Sequence, residues 1–220
     1  MNDPFRDIDA VVFDLDGTLA DTFEDLRGAV NHVRAIRGLQ PLSLDAVMAH
    51  VGRGVANLVR GTLDAGEGTD PEADVRAFQA WYGLHLLDAT RAYPGAVEAV
   101  AALSGFRRAV LSNKPEAMTR AIVAGLGFAP YLDGAWGGDS FAAMKPDPAA
   151  LLAVLERLGA EPSRAVMVGD SDIDIETARR AGVRSVRVRT GLWRASAGRP
   201  DVEVRDLLEL ARRLDSAPVE

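Results

Sequence analysis

Two hydrophobic periods take turns along this chain. Short, continuous, largely β-branched runs at 10–13, 109–111, 165–168 and 183–188 read as strands buried on both faces. Apolar residues recur at helical spacing over 97–103, 118–126, 149–158, 175–181 and 207–214. Strands alternating with helices predict a doubly wound, mostly parallel sheet, an α/β fold. The rhythm breaks between residues 21 and 91, where only helical patterns occur. Leu26, Val30 and Val33 repeat behind Thr22, and further stretches follow at 46–51, 55–63 and 75–87. Thr22 with Asp25 three residues on reads as a capping pair for the first of these helices. The expected organisation is therefore an α/β core built from residues 1–20 and 92–220, interrupted by a helical domain over residues 21–91. Tyr93-Pro94-Gly95 marks the return to the core.

Composition narrows the function more than the fold. A length of 220 residues suits one large domain, or a main domain with a smaller insertion. The net charge of −7, with no basic stripe, speaks against a nucleic-acid partner. The absence of cysteine excludes disulfides, thiol nucleophiles and thiolate metal sites. With Asp3, Asp7 and Asp9 near the start, no apolar leader and no run of membrane-spanning length, the expectation is a cytoplasmic monomer or homodimer without a membrane partner. Lys and Arg total 25, yet lysine stands only at 114 and 145. A chain that writes arginine almost everywhere points to two places where a compact ammonium is needed.

The candidate chemistry sits where predicted strands end. Asp14-Leu15-Asp16-Gly17-Thr18 follows the first run, and strand ends are where open α/β sheets hold ligands. Two acids that close repel unless a cation or a shared proton relieves them. Ser112-Asn113-Lys114-Pro115 ends the second run with a hydroxyl and a series of backbone N–H groups, alone no more than an ordinary helix start. Lys145-Pro146-Asp147-Pro148 alone is a proline-rich helix entry. Gly169-Asp170-Ser171-Asp172-Ile173-Asp174 ends the third run with three carboxylates, more than helix capping requires. Its spacing starts like a calcium loop, but Ile175 and Ala181 stand where that loop needs Gly and Glu. In a parallel sheet these ends converge on one edge. Oxygen ligands there select Mg²⁺, and metal, lysine and hydroxyl around one carboxylate make a site for a phosphate group.

These four segments, in order and at fitting spacing, resemble the motifs of the haloacid dehalogenase superfamily. The resemblance implies a Rossmann-like core with a helical C1 cap inserted after the first motif. It implies Asp14 as a nucleophile that becomes an aspartyl-phosphate, and Asp16 as the general acid and base. Mg²⁺ would be held by Asp14, the Asp16 backbone carbonyl and Asp170, with Asp174 nearby or acting through water. Ser112, Asn113 and Lys145 would hold the phosphoryl group. A dehalogenase typically lacks the second acid, so the Asp14–Asp16 pair argues for phosphoryl transfer. The region 21–91 contains no lysine, unlike the phosphonatase relatives. Ser112 to Glu116, Gly137-Gly138-Asp139-Ser140 and Tyr93-Pro94-Gly95 resemble phosphoglycolate phosphatases, which implies a small phosphorylated metabolite as substrate, 2-phosphoglycolate first. A phosphosugar mutase like β-phosphoglucomutase, and a pyrophosphatase or nucleotide-directed phosphatase, are the alternatives. Val51-Gly52-Arg53-Gly54 resembles the cap segment of that group; Arg53 either reads a substrate carboxylate or is a solvated turn residue. His32, His50 and His85 read as surface or packing residues, and Trp81, Tyr82, Trp136 and Trp193 as core or interface.

Overall fold

The computed structural model describes residues 4–63, 70–190 and 198–216. Trp193 and the tail beyond Ser216, for which fraying is expected, lie outside them.

Six strands form one parallel sheet. They are β1 (Ala10–Phe13), β4 (Arg107–Leu111), β5 (Gly134–Trp136), β6 (Ala165–Gly169), β7 (Arg184–Val188) and β8 (Val202–Val204), in the spatial order β5-β4-β1-β6-β7-β8. The period-2 geometry of a strand divides the residues of β1 between two cores. Val11 and Phe13 face one layer, with Ala99 and Val100 of α5 (Ala96–Ala102), Ile122 of α6 (Glu116–Gly125) and Leu210 and Leu214 of α9 (Leu207–Asp215). Ala10 and Val12 face the other, with Leu151 and Val154 of α7 (Pro148–Leu158) and Ala178 of α8 (Asp172–Ala181). A strand buried on both sides has no polar positions, which is why β1 reads as an unbroken apolar run. Asp147 caps α7 by accepting from the Ala149 N–H at 2.9 Å, with Pro148 in the first turn. Gly159 and Gly182 end α7 and α8 in the left-handed conformation.

The strands β5 and β8 were not expected. Each is three residues long and lies at a sheet edge, so the apolar run is too short to stand out from its surroundings.

The insertion carries α1 (Phe23–Ile36), α2 (Leu44–Met48), α3 (Val55–Thr62) and α4 (Pro71–Leu84) around an apolar cluster of its own, with Val30, Leu58, Phe78 and Tyr82 at its centre. Both of its connections to the core pass through a two-strand ribbon, β2 (Ala20–Asp21) against β3 (Arg91–Ala92). The expected Thr22–Asp25 capping pair is not made. Thr22 begins α1, but its hydroxyl donates to Asp16 Oδ1 at 2.5 Å. Asp25 accepts from the backbone N–H groups of Ala89 and Thr90, at 2.9 and 2.8 Å. Both side chains tie the helix to its surroundings, which the i, i+3 spacing alone does not distinguish from a cap. No helix among the described residues is long and apolar enough to cross a membrane.

Candidate active site

Asp14 leaves β1 with its N–H donating to the Val168 carbonyl at 2.8 Å, so the end of β6 holds the start of the turn. Gly17 lies in that turn at φ 86°, where a Cβ would also run into the Asp170 carboxyl. The turn thus brings Asp14, Asp16 and Asp170 to one place at the C-terminal edge of the sheet, as β4 does for Ser112. All of them line one cavity of about 230 Å³.

Lys145 is buried and salt-bridged to Asp14 Oδ1 at 2.8 Å and to Asp174 Oδ1 at 2.7 Å. Burial pulls its pKa down, but Asp14 and then Asp174 outweigh that, and the ammonium is held above its ordinary value. Asp14 is pushed the other way. Burial raises its pKa most; Lys145 opposes, while Asp174, Asp170 and Asp16 add to the rise, and the net displacement is well upward. Burial, reinforced by Asp174, likewise lifts Asp170 to about 7, although Thr18 donates to its Oδ1 at 3.1 Å.

Carboxylate oxygens of Asp14, Asp170 and Asp174 lie within 4.8 Å of one another. Three acids so close, two of them with raised pKa values, form a donor set short of positive charge. All-oxygen donors of this kind fit a hard divalent cation. Asp174 is the most engaged of the three, since its Oδ2 accepts from the Ser171 hydroxyl at 2.6 Å while Oδ1 takes Lys145. That arrangement suits a supporting position behind the ligands. Asp172 is paired at 2.8 Å with Arg187, itself buried in β7.

Ser112 is buried and accepts from the Lys114 N–H at 3.2 Å. Asn113 has its whole amide committed to protein. Its Nδ2 donates to the carbonyls of Gly52 and Lys145, at 2.8 and 2.7 Å, and its Oδ1 accepts from the Lys145 N–H at 2.9 Å. Any contact it makes with a phosphate would come from its backbone; its side chain fixes the Lys145 loop and docks the insertion. Beneath this loop, Asp139 accepts from the Glu116 N–H at 2.7 Å, and Gly138 approaches the Asn113 backbone too closely to leave room for a Cβ.

Arg53 is exposed and is not among the residues lining the cavity, although its neighbours Gly52 and Gly54 are. The insertion contributes instead an apolar roof of Phe23, Leu26, Met48, Val55 and Leu58, and among its described lining residues the one polar side chain is Tyr82. Tyr82, expected to be core or interface, is both of these and also faces the cavity. Lys114 Nζ donates to it at 2.6 Å and to Asp16 Oδ1 at 2.7 Å. Lys114 was marked in the sequence by the rarity of lysine and by its place in the Ser112-Asn113-Lys114-Pro115 segment, neither of which assigned it a role. For Tyr82 there was no sequence signal, because its partners lie 32 residues away and beyond. His85 pairs with Asp88 and stacks on Trp81 away from the cavity, and Trp136 packs in the core.

Residues 8–182 match the family model of the haloacid dehalogenase-like hydrolases. A phosphoglycolate phosphatase of Rhodospirillum rubrum is 41% identical, over 84% of this chain and 81% of its own. One from Aquifex aeolicus is 34% identical over 96% of this chain and 98% of its own. Among solved structures, one named as a predicted phosphoglycolate phosphatase of Haemophilus somnus superposes with a TM-score of 0.87. It is 27% identical and covers 94% of this chain and 97% of its own.

Proposed function

The chain belongs to the haloacid dehalogenase-like hydrolase family, and from that premise we propose that it is a cytoplasmic, Mg²⁺-dependent phosphomonoesterase acting on 2-phosphoglycolate. The observation that carries the reading is how the two acids after β1 are held. Asp14 and Asp16 each have one oxygen fixed by a lysine, while the other has no protein hydrogen-bond partner among the described residues. Both line the same cavity, so each presents one oxygen for chemistry.

Asp14 is the nucleophile. Its carboxylate oxygen attacks phosphorus, the ester P–O bond breaks, and an aspartyl-phosphate forms. Asp16, in its acid form, gives its proton to the departing alkoxide. As a carboxylate it then takes a proton from the water that attacks phosphorus, releasing inorganic phosphate and restoring both acids. Lys145 offsets the charge between Asp14 and the phosphoryl oxygens, and the Ser112 hydroxyl donates to one of them. Asp14, the Asp16 carbonyl and Asp170 would hold Mg²⁺ with Asp174 in support; the bound ion would draw charge from the phosphoryl group as an anionic nucleophile approaches. Residues 21–91 act as the cap over a core of residues 1–20 and 92–220.

The relatives' names and the small, apolar-roofed cavity favour a short ester over a nucleotide. The test is kcat/KM across a panel of small phosphomonoesters, with Mg²⁺ and with chelator. We expect 2-phosphoglycolate to lead and chelation to abolish turnover. Similar values for unrelated esters, or isomerisation of a phosphosugar in place of hydrolysis, would defeat the assignment.

A further inference from the structure

We infer that Lys114 and Tyr82 together form the subsite that reads the substrate's carboxylate, a role that rests on the phosphoglycolate reading above. In 2-phosphoglycolate a single methylene carbon separates the ester oxygen from the carboxylate carbon. Whatever meets the carboxylate must therefore lie beside the group that protonates the ester oxygen, and that group is Asp16. Lys114 Nζ is 2.7 Å from Asp16 Oδ1 and 2.6 Å from the Tyr82 hydroxyl, and all three residues line the cavity.

The hydrogen-bond inventory leaves two donors there. An ammonium has three N–H groups, of which Asp16 and Tyr82 take two. The third has no protein acceptor among the described residues. The Tyr82 oxygen accepts from Lys114, so its own O–H remains to donate, and no described residue receives it. Burial pushes that phenol up to about 12, which keeps the proton on it at neutral pH. One charged donor and one neutral donor, side by side and buried, match the two oxygens of a carboxylate.

Charge and position favour Lys114 over the other candidates. Lys114 and Lys145 are the only cations among the described residues lining the cavity. Lys145 already serves two carboxylates, Asp14 and Asp174. Arg53 is exposed, and the rest of the roof is apolar. A substrate carboxylate brought into this acidic cavity would be repelled without a cation beside it, and Lys114 is that cation. An ester with a methyl group in place of the carboxylate would leave both buried donors unmet, which a site of this kind penalises. Because Tyr82 belongs to α4 and Lys114 to the core, the subsite is complete only while the cap is docked.

The experiment measures kcat/KM for 2-phosphoglycolate and for ethyl phosphate, which carries methyl where the carboxylate stands. Wild type, Lys114→Met and Tyr82→Phe are compared. Lys114→Met should lose roughly tenfold or more on 2-phosphoglycolate beyond its loss on ethyl phosphate. Tyr82→Phe keeps the ring's packing and should show a smaller loss of the same kind, mainly in KM. It carries the test alone if Lys114→Met does not fold. Equal losses on both esters in the folded variants would overturn the inference, reducing Lys114 to a residue that positions Asp16. A wild type that does not prefer 2-phosphoglycolate to ethyl phosphate would instead overturn the proposed substrate, and with it this subsite.

Discussion

Asp170 emerges from β6 into a crowd of like charge, and its carboxyl sits at about 7 against an ordinary 3.8, with burial the first cause and Asp174 the second. The sign of the linkage follows. Between those values the folded chain holds a proton that the unfolded chain has released, so this group's stabilising contribution is full below about pH 4 and is lost as pH rises through about 7. A divalent cation offsets the lost proton by binding the ionised form of the folded state. In melting experiments, the ion-free protein should lose stability from pH 5 to 8, and added Mg²⁺ should raise Tm more at pH 8 than at pH 5. A Tm gain from Mg²⁺ that is independent of pH, or absent, would remove Asp170 from the metal site. At this scale the legible residues were those whose position restricts their chemistry, Asp14 and Asp16 two apart at a strand end and Asp170 after a buried run; Lys145, alone a helix entry, stood out only in company with the other segments. Tyr82 was not legible. Its role depends on a docking geometry that places an aromatic of a helix in the insertion against a lysine of the core, and no local pattern encodes such a meeting.

The helices were readable from their periodicity, and most observed bounds fall within two or three residues of the expected ones. What the pattern misjudged was the junction between elements. Asp25 follows Thr22 at capping distance, yet its carboxylate takes the N–H groups of Ala89 and Thr90 and fastens the start of α1 to the segment that leads into β3. The ribbon of β2 and β3 is only two residues long on each side, so this carboxylate is a main tie across both connections to the core. Asp25→Ala would leave the buried Thr90 N–H, and the more exposed Ala89 N–H, without their acceptor. We expect it to cost about 1–3 kcal/mol in urea denaturation and to raise KM through a looser cap. A loss within ~0.5 kcal/mol with KM unchanged would mean that the tie contributes nothing to either. The short strands β5 and β8 escaped for a related reason. Three residues paired on one edge leave too little apolar alternation to be told from a loop, while the central strands, buried on two faces, leave little else.

At the scale of the molecule, the fold class was settled by alternation alone, because β1 must feed both faces of the sheet. The strand order β5-β4-β1-β6-β7-β8 was not readable from the chain, but its consequence was. Parallel strands deliver their C-terminal ends to one edge, so acids, hydroxyl and lysine far apart in sequence meet there. At the other end of β1, Asp9 pairs with Arg107 and Arg164, at 3.2 and 3.1 Å. In the proposed mechanism the whole assembly converges on one oxygen of Asp14: Lys145 balances it, the other acids would supply a metal site, and Asp16 handles the proton. The most direct test is the initial rate of Asp14→Asn on 2-phosphoglycolate with saturating Mg²⁺, in protein whose melting curve confirms that it is folded. A fall in kcat of at least ~10³-fold is expected, because an amide of the same shape cannot take the phosphoryl group. A rate within about tenfold of wild type would contradict the mechanism.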